Sequence, residues 1–199
     1  MFQQIVLASN NAGKVREFNA LFSQLGIQIT PQAAFDIPEC PEPHHTFVEN
    51  ALAKARHAAQ HSKQPALADD SGICVAAGNG ARYGVLSARF AGDNPKSDAA
   101  NNQKVSDLLA NQADKSCYYV CVLVFVRHAD DPQPIIAEGI WHGQWQAQAA
   151  GEHGFGYDPH FYLPDLTCTA AQLSPEQKNA ISHRAQAMSE LVRKMQAAL

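Results

Sequence analysis

The sequence predicts an α/β fold, with two lobes around a central twisted mixed β-sheet flanked by helices and a substrate groove between the lobes. In the first half, apolar runs of strand length alternate with stretches of helical periodicity; in the middle, strand-like runs follow one another with no helix between them. A more helical part and a more strand-rich part read as two lobes, and a groove between them is the natural place for a ligand. With 199 residues, 46% of them hydrophobic and 17% charged, the chain can bury a sizeable core.

Gln4 to Ala8 ("QIVLA") is the first buried strand. A helix follows, with Val15, Phe18, Leu21, Phe22 and Leu25 at helical spacing until Gly26 stops it. "IQIT" is a second strand, and "IPECPEP" a proline-rich loop. Thr46 and Glu49 then form a capping box for a long helix with Phe47, Ala51, Ala55 and Ala58 inward and Thr46, Asn50 and Lys54 on the opposite face. "PALADD" is a short strand ending in acids, and "NPKSDAANNQKVSDLLAN" contains a helix. "YYVCVLVFV", "QPIIAEGIW" and "GQWQAQA" read as adjacent strands, "SPEQKN" as a short helix and "SHRAQAMSELVRKMQAAL" as a longer one. No repeat or linker divides the chain, so residues 1–199 read as one domain of two lobes.

A formal net charge of −4 provides no basic field for a nucleic-acid polymer. The longest apolar run, Tyr118 to Val126, is far below the ~20 residues of a membrane span. No secretory leader is legible, and the five cysteines form no C-x-x-C pair, so the expected setting is the cytoplasm with reduced thiols.

Four stretches could carry chemistry. "ASNNAGK" (Ala8–Lys14) joins a strand to a helix through small residues, which aims backbone N–H groups and the Lys14 charge at an anion. Gly13 lacks the partner glycine of a P-loop and Val15 follows Lys14, so a Walker-type site is excluded, and an ordinary polar corner competes. In "LADDSG", the adjacent carboxylates of Asp69 and Asp70 repel unless a cation holds them; magnesium suits oxygen ligands, with Glu42 or Glu49 as a third acid, and a solvated turn is the alternative. "GFGYDP" offers glycine backbone, a stacking face from Phe155 or Tyr157, and acceptors from Asp158; an aromatic-plugged turn competes. "KNAISHR" sets Lys178, His183 and Arg184 around a helix junction, where cations oppose the helix dipole unless an anion or polar base compensates them. The other histidines show no zinc-ligand spacing.

In this order, "SNNAGKVREF", "TFVENALAKA", "LADDSG", "SARFAG", "GFGYDPHF" and "KNAISHR" resemble the inosine/xanthosine triphosphate pyrophosphatase family over nearly the whole chain. The resemblance implies a homodimer that uses Mg2+ to hydrolyse aberrant purine (deoxy)nucleoside triphosphates to monophosphate and pyrophosphate. It implies that Ser9, Asn10, Asn11, Ala12, Gly13, Lys14 and Lys54 bind the triphosphate. Asp70 corresponds to the metal-binding acid and proton acceptor, Glu42 to a second acid near magnesium, and Ser71 to a substrate contact. Phe155, Gly156, Tyr157 and Asp158 correspond to the base-binding segment, Lys178 to a substrate-binding lysine, and His183 and Arg184 to the purine-reading pair. The chain departs from the family pattern at His44, where a glycine is usual, and at Arg82 and Tyr83, where relatives have a shorter proline turn. A Maf-like pyrophosphatase with another base preference, a nucleotide-binding module without catalysis, and a two-carboxylate glycosidase are the alternatives; only the last has no need of phosphate-facing lysines.

Overall fold

The computed structural model describes residues 2–23, 25–76 and 84–198. Arg82 and Tyr83, singled out above as a departure, lie outside them. Seven strands form an open sheet in the order β2-β1-β3-β4-β5-β6-β7: β1 (Gln4–Leu7), β2 (Gln28–Pro31), β3 (Ala66–Val75), β4 (Ser116–Val126), β5 (Ile135–Trp145), β6 (Phe161–Leu163) and β7 (Cys168–Thr169). β1 pairs in parallel with β2 and β3, while β6 pairs antiparallel with β5 and β7, so the sheet is mixed as expected. Among the described residues the longer helices are α1 (Ala12–Ser23), α2 (Phe47–Ser62), α3 (Asp98–Leu109), α4 (Pro175–Ile181) and α5 (His183–Ala198). Among the described residues no helix is long and apolar enough to cross a membrane.

The chain divides into two compact units. The first comprises Met1–Asp70, Cys121–Gly139 and Arg184–Leu199; the second comprises Ser71–Val120 and Ile140–His183. In the first unit, Phe18 and Phe22 of α1 and Ala187, Met188, Leu191 and Met195 of α5 pack with Ile5, Leu67 and Leu123 from the sheet. The i, i+4 spacing of the two phenylalanines puts both rings on one helix face, and each is fully buried, worth about 1.5–3 kcal/mol apiece. In the second unit, Tyr119, Trp141, Trp145, Tyr157 and Phe161 gather with Val105 and Leu109 of α3.

Four local expectations are corrected. β3 does not end at the acids; it runs on to Val75 with Asp69 and Asp70 buried inside it, because basic side chains match their charges. "QPIIAEGIW" and "GQWQAQA" are not two strands but one, Ile135–Trp145, which ends before "QAQA"; Ala137, Gly139, Trp141 and Trp145 keep period-two burial along it. At the start of α2, the Thr46 hydroxyl accepts from the Glu49 N–H, but it donates to the Glu49 carboxylate at 2.6 Å, so the cap is made without the reciprocal arm of a box. Nor do Asn50 and Lys54 face away from the alanines: with Ala58 they follow one another at i, i+4 spacing, beside Ala51 and Ala55, and all five are buried on one broad face.

The loop joining β4 to β5 is folded around Asp131. Its carboxylate accepts from the Arg127 N–H and Nε at 2.9 Å, from Arg127 Nη2 at 2.5 Å and from the Gln133 N–H at 3.0 Å. The Arg127 side chain holds the Asp131 carboxyl far below the ordinary carboxylate range against the opposing effect of burial, with backbone donors adding to it. A depressed carboxyl contributes stability that is complete above the unfolded-state pKa and is lost as pH falls through the folded one. Asp131→Asn is therefore expected to cost about 1–2 kcal/mol at pH 7, the lower part of the range for charged hydrogen bonds because Arg127 is part-exposed, and almost nothing in strong acid. Urea titrations at pH 7 and pH 2 check this: the folded carboxyl is still partly ionised at pH 2, so a smaller but not vanished cost is expected there, and an equal loss at both would contradict it.

Candidate active site

The first unit contains an acid and cation cluster built on β3. Asp69 is 1% exposed. Its Oδ1 accepts from Lys14 Nζ at 2.6 Å, and its Oδ2 accepts from Arg184 Nε at 2.7 Å and from Cys121 Sγ at 3.5 Å. Arg184 also donates to Glu17 through Nη1. Burial opposes the Arg184 charge, but Asp69 and Glu17 outweigh it and raise its pKa. The Cys121 thiol is pushed well up by burial and then by Asp69, so it stays protonated and donates.

Asp70 has a different set of partners. Lys54 Nζ donates to Asp70 Oδ1 at 2.8 Å, to Glu42 Oε1 at 2.6 Å and to the Asp69 carbonyl at 2.9 Å. Burial disfavours the Lys54 charge, yet Asp70 and Glu42 together raise its pKa. For Asp70 burial prevails: its carboxyl is raised although Lys54 pulls it down, and Glu42 pushes it the same way as burial. A carboxylate with a raised pKa is suited to taking a proton. Two carboxylates converging on one cation also fit magnesium, which takes one or two protein carboxylates and completes its shell with water and phosphate oxygens. Among the described residues no three His, Cys, Asp or Glu side chains group as metal ligands.

The turn before α1 lies in the same unit. Asn11 Oδ1 accepts from the Lys14 N–H at 3.1 Å, and Ser9 Oγ from the Asn11 N–H at 3.2 Å. These short bonds shape the Ser9–Lys14 turn and start the helix at Ala12 and Gly13, with Asn10 exposed. The sequence reading gave no role to Asn50, whose amide clasps the loop carrying Glu42. Its Oδ1 accepts from the His44 N–H at 3.1 Å, and its Nδ2 donates to the His44 carbonyl at 3.4 Å and, weakly, to Asp70 Oδ2 at 3.5 Å. The departure at His44 is thus met through backbone atoms. The signal available was the shared face of Thr46, Asn50 and Lys54 on α2.

The second unit contains the rest of the expected residues. Ser71 is half-buried on β3. The "GFGYDP" loop is wound around the Asp158 carboxylate, which is 1% exposed. That carboxylate accepts from the Phe155 N–H at 2.9 Å, from Lys178 Nζ at 2.7 Å and from Tyr119 Oη at 3.2 Å. Asp158 therefore acts on its own loop, and the acceptors expected of it for a base or ribose are used internally. Gly154 is required here, at φ +77 and with a Cβ position only 2.1 Å from Asp158 Oδ2. Burial, then Asp158, raise the Tyr119 phenol well above its usual pKa, which keeps it a donor. Tyr157 is a core residue that donates to the Ser87 carbonyl at 2.6 Å, so of the two aromatic candidates Phe155, half-buried and under Lys178 Nζ at 4.9 Å, is the one placed to stack. His183 stacks on Tyr119 at 4.6 Å between ring centroids, with 9° between planes. The next residue, Arg184, belongs to the first unit.

These features define a class: an α/β protein of open mixed sheet whose third strand carries two adjacent buried acids, each with its own lysine. Within it, the chain belongs to the Ham1 family, whose family model matches residues 5–194. It is 68% identical over 193 residues to the dITP/XTP pyrophosphatase of Neisseria meningitidis serogroup A, covering 97% of this chain and 96% of that protein. The dITP/XTP pyrophosphatase of Chromobacterium violaceum is 60% identical over 197 residues, 99% of each chain. Among solved structures, a HAM1 protein from Coxiella burnetii has a TM-score of 0.89 at 46% identity, covering 99% of this chain and 100% of that one.

Proposed function

We propose that this chain, acting as one pyrophosphatase domain, hydrolyses the noncanonical purine triphosphates ITP, dITP and XTP to the monophosphate and pyrophosphate. The observation that carries this function is the separation of the two β3 acids, Asp69 on Lys14 and Arg184, Asp70 on Lys54, which it shares with Glu42. The 68%-identical relative is a dITP/XTP pyrophosphatase, and the turn before α1 matches a triphosphate cradle in chemistry.

Asp70 and Glu42 would hold Mg2+, which supplies charge neutralisation at the phosphate oxygens. Lys14, with a side chain 17% exposed, can move to a phosphate while Arg184 keeps Asp69 paired. Lys54 stays between its acids and adds positive charge beside the tail. Asp70 orients a water toward the α-phosphorus and takes its proton as the new P–O bond forms; the bond to the bridging oxygen breaks, and pyrophosphate leaves with that oxygen. Phosphoryl transfer of this kind depends on positioning and charge more than on covalent chemistry. Phe155 stacks on the purine, while Lys178 and His183 supply donors that suit a 6-oxo group and reject the 6-amino group of adenine; Arg184, expected beside His183 as a purine reader, is instead engaged by Asp69 and Glu17. A homodimer in the cytoplasm completes the proposal, and light scattering tests the assembly.

Incubation with ITP and magnesium is expected to release pyrophosphate and IMP, resolved by anion-exchange chromatography. Orthophosphate as the first product would overturn the reaction class. Equal kcat/KM on ITP, XTP, GTP and ATP would overturn the base preference.

A further inference from the structure

One face of α3 holds the peptide groups of Gly156. Asp98 Oδ2 accepts from the Gly156 N–H at 3.1 Å, and Asn102 Nδ2 donates to the Gly156 carbonyl at 3.1 Å. The i, i+4 spacing of Asp98 and Asn102 places both side chains on one helix face, one turn apart. One turn further, Ser106 Oγ accepts from Trp145 Nε1 at 3.1 Å, and the Trp145 ring meets Tyr157 edge-on at 6.0 Å. Val105 packs in the same core as Tyr157. The helix is fixed at its start by Ser97, whose hydroxyl accepts from the Ala100 N–H. Asn102 is 9% exposed, and its Oδ1 is buried with no hydrogen-bond partner among the described residues. A buried amide with an orphaned acceptor is costly. Its Nδ2 bond to the Gly156 carbonyl offsets part of that cost.

Gly156 lies between Phe155 and Tyr157 at φ +64, in a turn outside any strand or helix. Fixing both of its peptide groups sets the direction in which the Phe155 ring points. We propose that Asp98 and Asn102 are positioning residues for base selectivity, acting through the Gly156 peptides on the Phe155 face. This rests on the assignment of residues 155–158 to the purine made above.

Four variants and two substrates test it. In Asn102→Asp, a carboxylate of the same shape faces the Gly156 carbonyl and cannot donate to it; Asp98→Ala removes the acceptor, and Asp98→Asn keeps an oxygen there. Asn102→Asp and Asp98→Ala are each expected to raise KM for ITP about tenfold with kcat changed less than about threefold, and to narrow the ITP-over-GTP preference by a similar factor, the scale of one misplaced contact. Asp98→Asn is expected to restore both values to within about twofold of the parent. Phe155→Ala reports on the assignment itself: an unchanged ITP-over-GTP ratio there removes the base segment, and the proposal with it. With Phe155→Ala altered, an unchanged ratio in Asn102→Asp and Asp98→Ala overturns the positioning role alone, as does failure of Asp98→Asn to restore it. Melting curves accompany each variant. If Asn102→Asp does not fold, the Asp98 pair decides.

Discussion

Asp70→Asn is expected to lower kcat on ITP about a thousandfold, inside the range for loss of a positioned general base, and to leave the fold intact. The asymmetry follows from the energetics of the site. The asparagine side chain has nearly the same shape and can still accept from Lys54, which also keeps Glu42 and the Asp69 carbonyl. Burial raises the Asp70 carboxyl more than Lys54 lowers it. A carboxyl raised on folding costs stability above its unfolded pKa, and that cost fades as pH falls below it. Replacement by a neutral amide removes the cost at pH 7. The melting temperature should therefore stay level or rise slightly while turnover collapses, a combination that general damage to the fold does not produce. Turnover within tenfold of the parent enzyme would remove Asp70 from the proton-acceptor role.

The order of the first strands and helices was legible because hydrophobic period alone separates "QIVLA" from the Val15–Leu25 face and from "YYVCVLVFV". β6 and β7 were not, because three and two residues carry no readable period and are held by pairing with β5 and with each other. The site divides in the same way. The acids, the lysines and the "GFGYDP" loop stand out by residue type and spacing. Which cation belongs to which acid does not: Asp69 meets Lys14 across 55 positions and Arg184 across 115. Nor does a sequence show that Asp158 turns inward, since that depends on Tyr119 and Lys178 arriving at the loop from elsewhere in the chain. Asn50 and Asn102 passed as ordinary polar residues of amphipathic helices, although both are buried and act on backbone.

Asp69→Asn should behave in the opposite way to its neighbour and cost about 3–5 kcal/mol, the penalty for breaking a buried ion pair by removing one partner. That is a large share of the roughly 5–15 kcal/mol that holds a typical domain. Arg184, with a side chain 3% exposed, would lose its pair with Asp69 and keep the one with Glu17. Lys14 loses less, since its 17% exposed side chain can turn toward water. A double-mutant cycle separates the two partners. Coupling of Asp69→Asn with Arg184→Met should exceed its coupling with Lys14→Met by at least about 1 kcal/mol, measured by urea unfolding at pH 7. The order of the two couplings decides whether Asp69 chiefly anchors Arg184 or chiefly holds Lys14. A larger Lys14 coupling would make Asp69 the resting place of a mobile phosphate-binding lysine. A larger Arg184 coupling, the expected result, makes it the fixed point that allows Lys14 to leave for a phosphate without stranding a buried charge.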